Sequence, residues 1–178
     1  MANTTFQGPV ISKNGFFTTG PANVVDADSS TSLTVASHAG RIVHNNAAGA
    51  VTYTLPAINA NSDSAVAGPG ADLNNLSNIG ATFEIFASIT KTGSLIVQVA
   101  NANDVMVGGA KLIDDTSDNM VGFETVAASD TITLNGTDTG GVTFSKVTCT
   151  AISSTQWKVD VESGCTGTPA TPFSAAVS

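Results

Sequence analysis

Two histidines, two cysteines and two acidic clusters are the side chains of this chain best suited to chemistry. His38 and His44 lie in "ASHAGRIVH" with a turn-forming Gly40 between them. They could give a zinc ion two ligands only if a third came from far along the chain. His44 shares a strand face with Ile42, which favours a hydrogen-bonded structural histidine. Asp114, Asp115 and Asp118 in "DDTSDN", and Asp26 and Asp28 in "DAD", offer oxygens of the type calcium takes, but neither spacing is that of an EF-hand. Solvated turns are the expectation there. No GxSxG elbow, Walker loop or dinucleotide-binding glycine pattern occurs, and neither Cys149 nor Cys165 has a histidine beside it in sequence. A Cys–His pair assembled in space stays open. An unrecognised hydrolase would show itself as a deep pocket holding His38 or His44 beside a carboxylate or thiol. No catalytic residue, metal or cofactor is assigned.

Sugar binding usually calls for exposed aromatic faces. Tyr53 alternates with Val51 and Leu55, and Trp157 with Val159 and Val161, so both are expected to point inward. The sequons at Asn3, Asn75 and Asn135 match the glycosylation pattern. The first segment, "MANTTFQGPVISKNGFF", lacks the cationic start and apolar run of a signal peptide, so it is expected to belong to the mature protein and the sequons to be chance matches.

The elements that would carry these groups are strands. Period-two runs recur along the chain, among them "SLTV" (32–35), "RIVH" (41–44), "VTYTL" (51–55), "TFEIFA" (82–87), "SLIVQVA" (94–100), "DVMVG" (104–108), "GFETVA" (122–127), "TITL" (131–134), "SKVTCT" (145–150) and "QWKVDVE" (156–162). They are short, mostly rich in β-branched and aromatic residues, and bounded by turn formers. The expected fold is all-β: a jelly-roll-like antiparallel β-sandwich or barrel with an extended N-terminal arm. The expected division is an arm over 1–21, a body over 22–162 with a long loop at 59–80, and a tail over 163–178. Within the loop, Asp72 could cap a short helix carrying Leu73, Leu76 and Ile79 and ending at Gly80. Both ends of the chain are poor in charge yet carry Phe6, Phe16, Phe17 and Phe173, so each is expected to pack on a neighbour or on its own domain.

Pairing "KVTC" with "WKVDV" so that Cys149 faces Trp157, Val147 faces Val159 and Lys146 faces Asp160 gathers the apolar groups on one side. Cys165 then lies about 26 Å along the strand from Cys149 at ~3.3 Å per residue, which favours two free thiols. Val142 and Phe144 fall on the opposite face from Val147, which calls for a phase shift near Ser145 or burial on both sides. Large apolar groups also fall on the second face elsewhere: Phe86 beside Glu84, Ile96 beside Gln98, and Met106 opposed to Val105 and Val107. These three are candidates for a subunit interface.

Charged residues are 11% of the chain, against about 25% in ordinary soluble domains. With 14 acidic and 6 basic residues, a net charge of −8 leaves little for neutralising phosphates, so nucleic acid is not an expected partner. No apolar run approaches the roughly 18 residues of a membrane helix, and no basic amphipathic stretch suggests a surface anchor, so no membrane partner is expected either.

The run of Phe6, Gly8-Pro9-Val10, Ser12 and Asn14-Gly15-Phe16 resembles the start of small head decoration proteins of tailed bacteriophages, marine ones especially. "AGRIVHNNAAGAVTYTLPA" is similar to a strand-turn-strand unit ending in Thr-Leu-Pro in β-structured virion proteins, and "GATFEIFAS" with "NDVMVGG" adds to the likeness. The resemblance implies a capsid cement on the outer surface of the virion head. Its partners would be the major capsid protein and further copies of itself, often as a trimer. Phe6, Val10, Ile11, Phe16 and Phe17 would form the side of the arm that lies on the shell. The alternative is a fibre or spike domain that attaches to a bacterial surface, which copy number would separate: many copies over the head, or a few at the tail or one vertex.

Overall fold

A computed structural model of the protein describes residues 24–60 and 77–177. The strands are β1 (Val24–Asp26), β2 (Thr31–Ser32), β3 (Ile42–Asn45), β4 (Val51–Thr54), β5 (Thr82–Ala87), β6 (Leu95–Gln98), β7 (Val105–Asp114), β8 (Met120–Glu124), β9 (Thr131–Leu134), β10 (Ser145–Ala151), β11 (Gln156–Cys165) and β12 (Phe173–Ser174), with one helical turn, α1 (Val35–His38), between β2 and β3. They form two packed sheets, β1-β3-β5-β10-β11-β7-β8 and β12-β9-β6-β4-β2. The molecule is an all-β sandwich, as expected.

The expected antiparallel pairing needs correction. β1–β3, β3–β5, β7–β11, β2–β4 and β4–β6 are parallel, whereas jelly rolls are antiparallel. From β1 to β7 the chain alternates between the sheets, one strand in each per turn. Parallel neighbours need a crossover connection; here a strand of the opposite sheet serves as the crossover. The first half is thus a two-sheeted coil, and β7 to β12 complete both sheets beside it.

Alternation decides the core. Val43, Phe83, Ile85, Val147, Cys149, Trp157 and Val159 from the larger sheet meet Tyr53, Leu55, Val97, Ile132 and Leu134 from the smaller, all essentially inaccessible. Phe83 and Trp157 stack edge to face, centroids 5.7 Å apart and planes at 65°, a favoured aromatic geometry. Tyr53 and Trp157 point inward as expected. The β10–β11 register differs by two residues from the expected one: Cys149 faces Val159, and Lys146 faces Glu162. A two-residue slip preserves every face, so the hydrophobic pattern is silent about it.

"SLTV" is not one strand: β2 ends at Ser32 and Val35 starts the helical turn. β7 runs ten residues, well past the expected end at Gly108. β11 also runs ten, through Cys165, so the body extends beyond residue 162. Both cysteines are buried free thiols. Burial, with the charge of Asp160, pushes the Cys149 thiol up to about 12, which keeps it protonated and unreactive at neutral pH.

The C-terminal tail packs on its own domain. Phe173 pairs with Ile132 and joins the core, and Asp130 accepts hydrogen bonds from the backbone N–H groups of Ala176 (2.8 Å) and Val177 (3.2 Å). The N-terminal arm lies outside the described residues, as does most of the expected helix; Ile79 and Gly80 form a turn. The described ends of the segment expected as a long loop are joined: Asn78 N–H donates to Asn59 O (2.9 Å), Asn59 N–H to Asn78 Oδ1 (2.8 Å), and Asn78 Nδ2 to Ala57 O (2.8 Å).

Candidate docking face

The outer face of the larger sheet carries three of the chain's six Lys and Arg residues. Register sets Phe86, Lys146, Glu162 and Lys111 side by side across β5, β10, β11 and β7. Glu162 lies between both lysines, 3.0 Å from Lys146 and 3.9 Å from Lys111. Its hydrogen bond and then its charge raise the Lys146 pKa. Lys158 pairs with Asp160 on the same face. Each cation already has a carboxylate, so the ladder offers register and polarity rather than a free anion site.

An apolar ridge borders this ladder. β7 and β8 set Ile113 opposite Met120, and Gly164 of β11 lies on the other side of Ile113. Phe144 leans over Gly164: a Cβ there would fall 2.9 Å from the Phe144 ring and 2.9 Å from Val142. Ile113, Phe144 and Met120 are 44, 52 and 67% exposed, leaving a shallow apolar trough between them. Phe144 has φ +78°, a left-handed backbone that costs a bulky residue about 1–3 kcal/mol. This turn also answers the phase question in "VTFSKV": Phe144 points out, and β10 begins at buried Ser145 with regular alternation from there. The adjoining turn is held by Asp114, which accepts from Thr116 N–H (2.9 Å), Thr116 Oγ1 (2.6 Å) and Ser117 Oγ (2.7 Å). These bonds hold its carboxyl below the usual range.

The expected interface residues divide. Phe86 and Ile96 are half-buried on outer faces. Met106 is corrected: it is 1% exposed and belongs to the core, while Val107 takes the outward position. The alternation was right and its phase reversed. Phe6, Val10, Ile11, Phe16 and Phe17 lie outside the described residues. Ile113 and Met120 escaped sequence reasoning because Gly108-Gly109 looked like a strand end. The misfit of Phe144 with Val147 was the available signal for the ridge.

Polar side chains with chemical potential have local partners. His38 Nδ1 accepts the Thr34 N–H at 3.0 Å, closing the helical turn. His44 lies between Asp26 (Nδ1–Oδ1 2.7 Å) and Ser88 (Nε2–Oγ 2.8 Å). An ionised Asp26 can only accept, so neutral His44 carries its proton on Nδ1 and takes the Ser88 hydroxyl at Nε2. That is the hydrogen-bond order of a nucleophile, base and orienting acid. It forms across the edge of an open sheet face, however, with the Asp26 side chain 79% exposed. Ser88 Oγ is also within reach of Asn46 Oδ1 (3.2 Å) and Asn45 O (3.3 Å), which compete for its single proton. Among the described residues no group of three or more His, Cys, Asp and Glu could hold a metal ion, and no helix is long and apolar enough to cross a membrane.

Comparison with protein-family models, with curated proteins and with solved structures gives no significant match.

Proposed function

We propose that this chain is a virion structural protein, a decoration protein that cements the outer surface of a phage head. The observation that carries the reading is the ridge of Ile113, Phe144 and Met120, where a bulky aromatic is held out in water by a costly backbone turn. Exposed apolar groups of this kind mark contact surfaces. The neighbouring ion-pair ladder would fix orientation on a partner, a role charge serves better than it serves affinity. The partner in this reading is the major capsid protein, with copies of the chain associating as a trimer. Arm and ridge then act as two linked contacts, so weak binding at each becomes durable through effective concentration. Phe6, Val10, Ile11, Phe16 and Phe17 supply the arm's apolar side, adding a strand to an exposed edge of the shell.

Two variants test this on expanded heads stripped of the protein, with co-sedimentation as the readout. Deleting residues 1–17 is expected to abolish binding while the circular dichroism of the body is unchanged, since β1 begins only at Val24. Met120→Asp with Phe144→Asp is expected to weaken binding with the arm intact. Full binding by both variants refutes the reading.

The Asp26–His44–Ser88 line favours a second reading, a serine hydrolase. A fluorophosphonate probe separates the two: the cement reading expects no labelling of the folded protein, whereas labelling that disappears in Ser88→Ala would establish a reactive serine.

A further inference from the structure

Lys91, in the loop between β5 and β6, is a lysine only 3% exposed. Its Nζ donates to Asn45 Oδ1 at 3.0 Å and to the Ala47 carbonyl, and among the described residues it forms no ion pair with a carboxylate. Asn45 is wholly buried on β3, and its Nδ2 donates to Ala27 O (3.2 Å) and Tyr53 Oη (2.9 Å). A carbonyl cannot donate, so Ala27 O fixes the amide nitrogen on its own side and leaves the oxygen facing the lysine.

We propose that the folded chain joins Lys91 to Asn45 through an isopeptide bond of its own making.

The reaction is transamidation and needs no co-reactant. The neutral amine leaves the Asn45 oxygen for the face of Cγ, forming the Nζ–Cγ bond. Collapse of the tetrahedral adduct breaks the Cγ–Nδ2 bond. Nδ2 departs as ammonia with its two hydrogens and one from the amine, leaving a secondary amide between the side chains. Nothing is oxidised or reduced. Tyr53 Oη accepts from the leaving nitrogen at 2.9 Å and donates its own hydrogen to Ala27 O; turned from that carbonyl, the hydroxyl would pass its proton to Nδ2 and be reprotonated as the amine gives up its own. Burial pushes the Tyr53 phenol up to about 12, so it holds that proton. Burial also lowers the Lys91 pKa, against an opposing pull from Asp28, which favours the nucleophilic form of the amine.

Position is fixed by backbone. Ser88 N–H donates to Asn45 O (3.0 Å), Thr92 N–H to Ala48 O (2.8 Å) and Lys91 N–H to Gly141 O (2.8 Å). The loop carrying the amine is thereby laced to the chain carrying the carboxamide, the kind of orientation that accelerates an intramolecular step. Leaving the pair unreacted keeps a lysine buried among neutral acceptors, an unfavourable place for an ammonium; the bond removes the ionisable group.

The test is peptide mapping of the folded, full-length protein by mass spectrometry. Cleavage at Arg41, Glu84 and Lys111 should release 42–84 joined to 85–111, lighter than their sum by one ammonia, with Lys91 resistant to trypsin. Lys91→Arg should restore the full mass of 42–84 and, because trypsin also cleaves after arginine, release 85–91 and 92–111 as separate peptides. Trypsin cleavage after Lys91 with Asn45 at full mass in the wild type would overturn the proposal, as would a mass deficit that persists in Lys91→Arg.

Discussion

Trp157→Ala is expected to cost about 3–5 kcal/mol of stability, in the range for deleting a large buried aromatic. Trp157 is fully inaccessible, belongs to β11, an interior strand of the seven-stranded sheet, and loses its edge-to-face contact with Phe83 when truncated. A cavity of indole size between two sheets cannot close without moving strands paired on both sides. Trp157→Phe is expected to behave quite differently. Among the described residues, Trp157 Nε1 is the buried side-chain polar atom without a hydrogen-bond partner. Burying such a donor costs about 1–3 kcal/mol, while trimming indole to phenyl forfeits a similar amount of apolar contact, about 1–2 kcal/mol. The two terms roughly cancel, so the phenylalanine variant should lie within about 1 kcal/mol of the parent. Urea unfolding at constant m-value reads both changes. Equal losses for alanine and phenylalanine would show that the indole nitrogen is satisfied in solution.

Gly136→Ala is expected to be the most damaging single-methyl addition at a turn among the described residues, costing about 3 kcal/mol or more. Gly136 has φ +84°, and a Cβ there would fall 1.9 Å from the carbonyl oxygen of Lys91. The methyl group therefore meets backbone rather than a side chain that could swing aside. Relief requires the Lys91 segment to withdraw from Gly141 and from the chain at Ala48, which breaks the lacing that fixes the amine. The measurement is again chemical denaturation, now joined by hydrogen exchange at Lys91 and Thr92. Wild-type midpoint and protection in this variant would mean that the loop yields more easily than its contacts imply.

Strands bounded by clear turn formers were legible in the sequence. β5 and β9 have the expected limits because "TFEIFA" and "TITL" alternate cleanly between polar or glycine-containing breaks. Partners were less legible. Alternation fixes which face a residue takes and not which residue it meets, so the pattern alone suits Lys146 opposite Asp160 as well as its actual partner Glu162. Parallel pairing left no local mark, because it depends on where the chain goes after each strand. Glycine misled in one place: Gly108 and Gly109 look like a break, but they continue β7 where Val159 O leaves no room for a Cβ on Gly108. Of the candidate face, Phe144 announced itself as a misfit in phase, whereas Met120 depended on β8 starting earlier than its β-branched residues suggested.

The paired asparagines at residues 59 and 78 hold the two ends of the segment between them together. Each doubling of a loop's length adds only about 0.6 kcal/mol of closure entropy once its ends are held, and here the ends are clipped together by main-chain and amide hydrogen bonds. A foreign epitope or a small tag inserted between these two asparagines would thus begin and end at points that the sandwich itself holds. On the proposed cement role, with many copies on one particle, that position would serve as a graft site for multivalent antigen display.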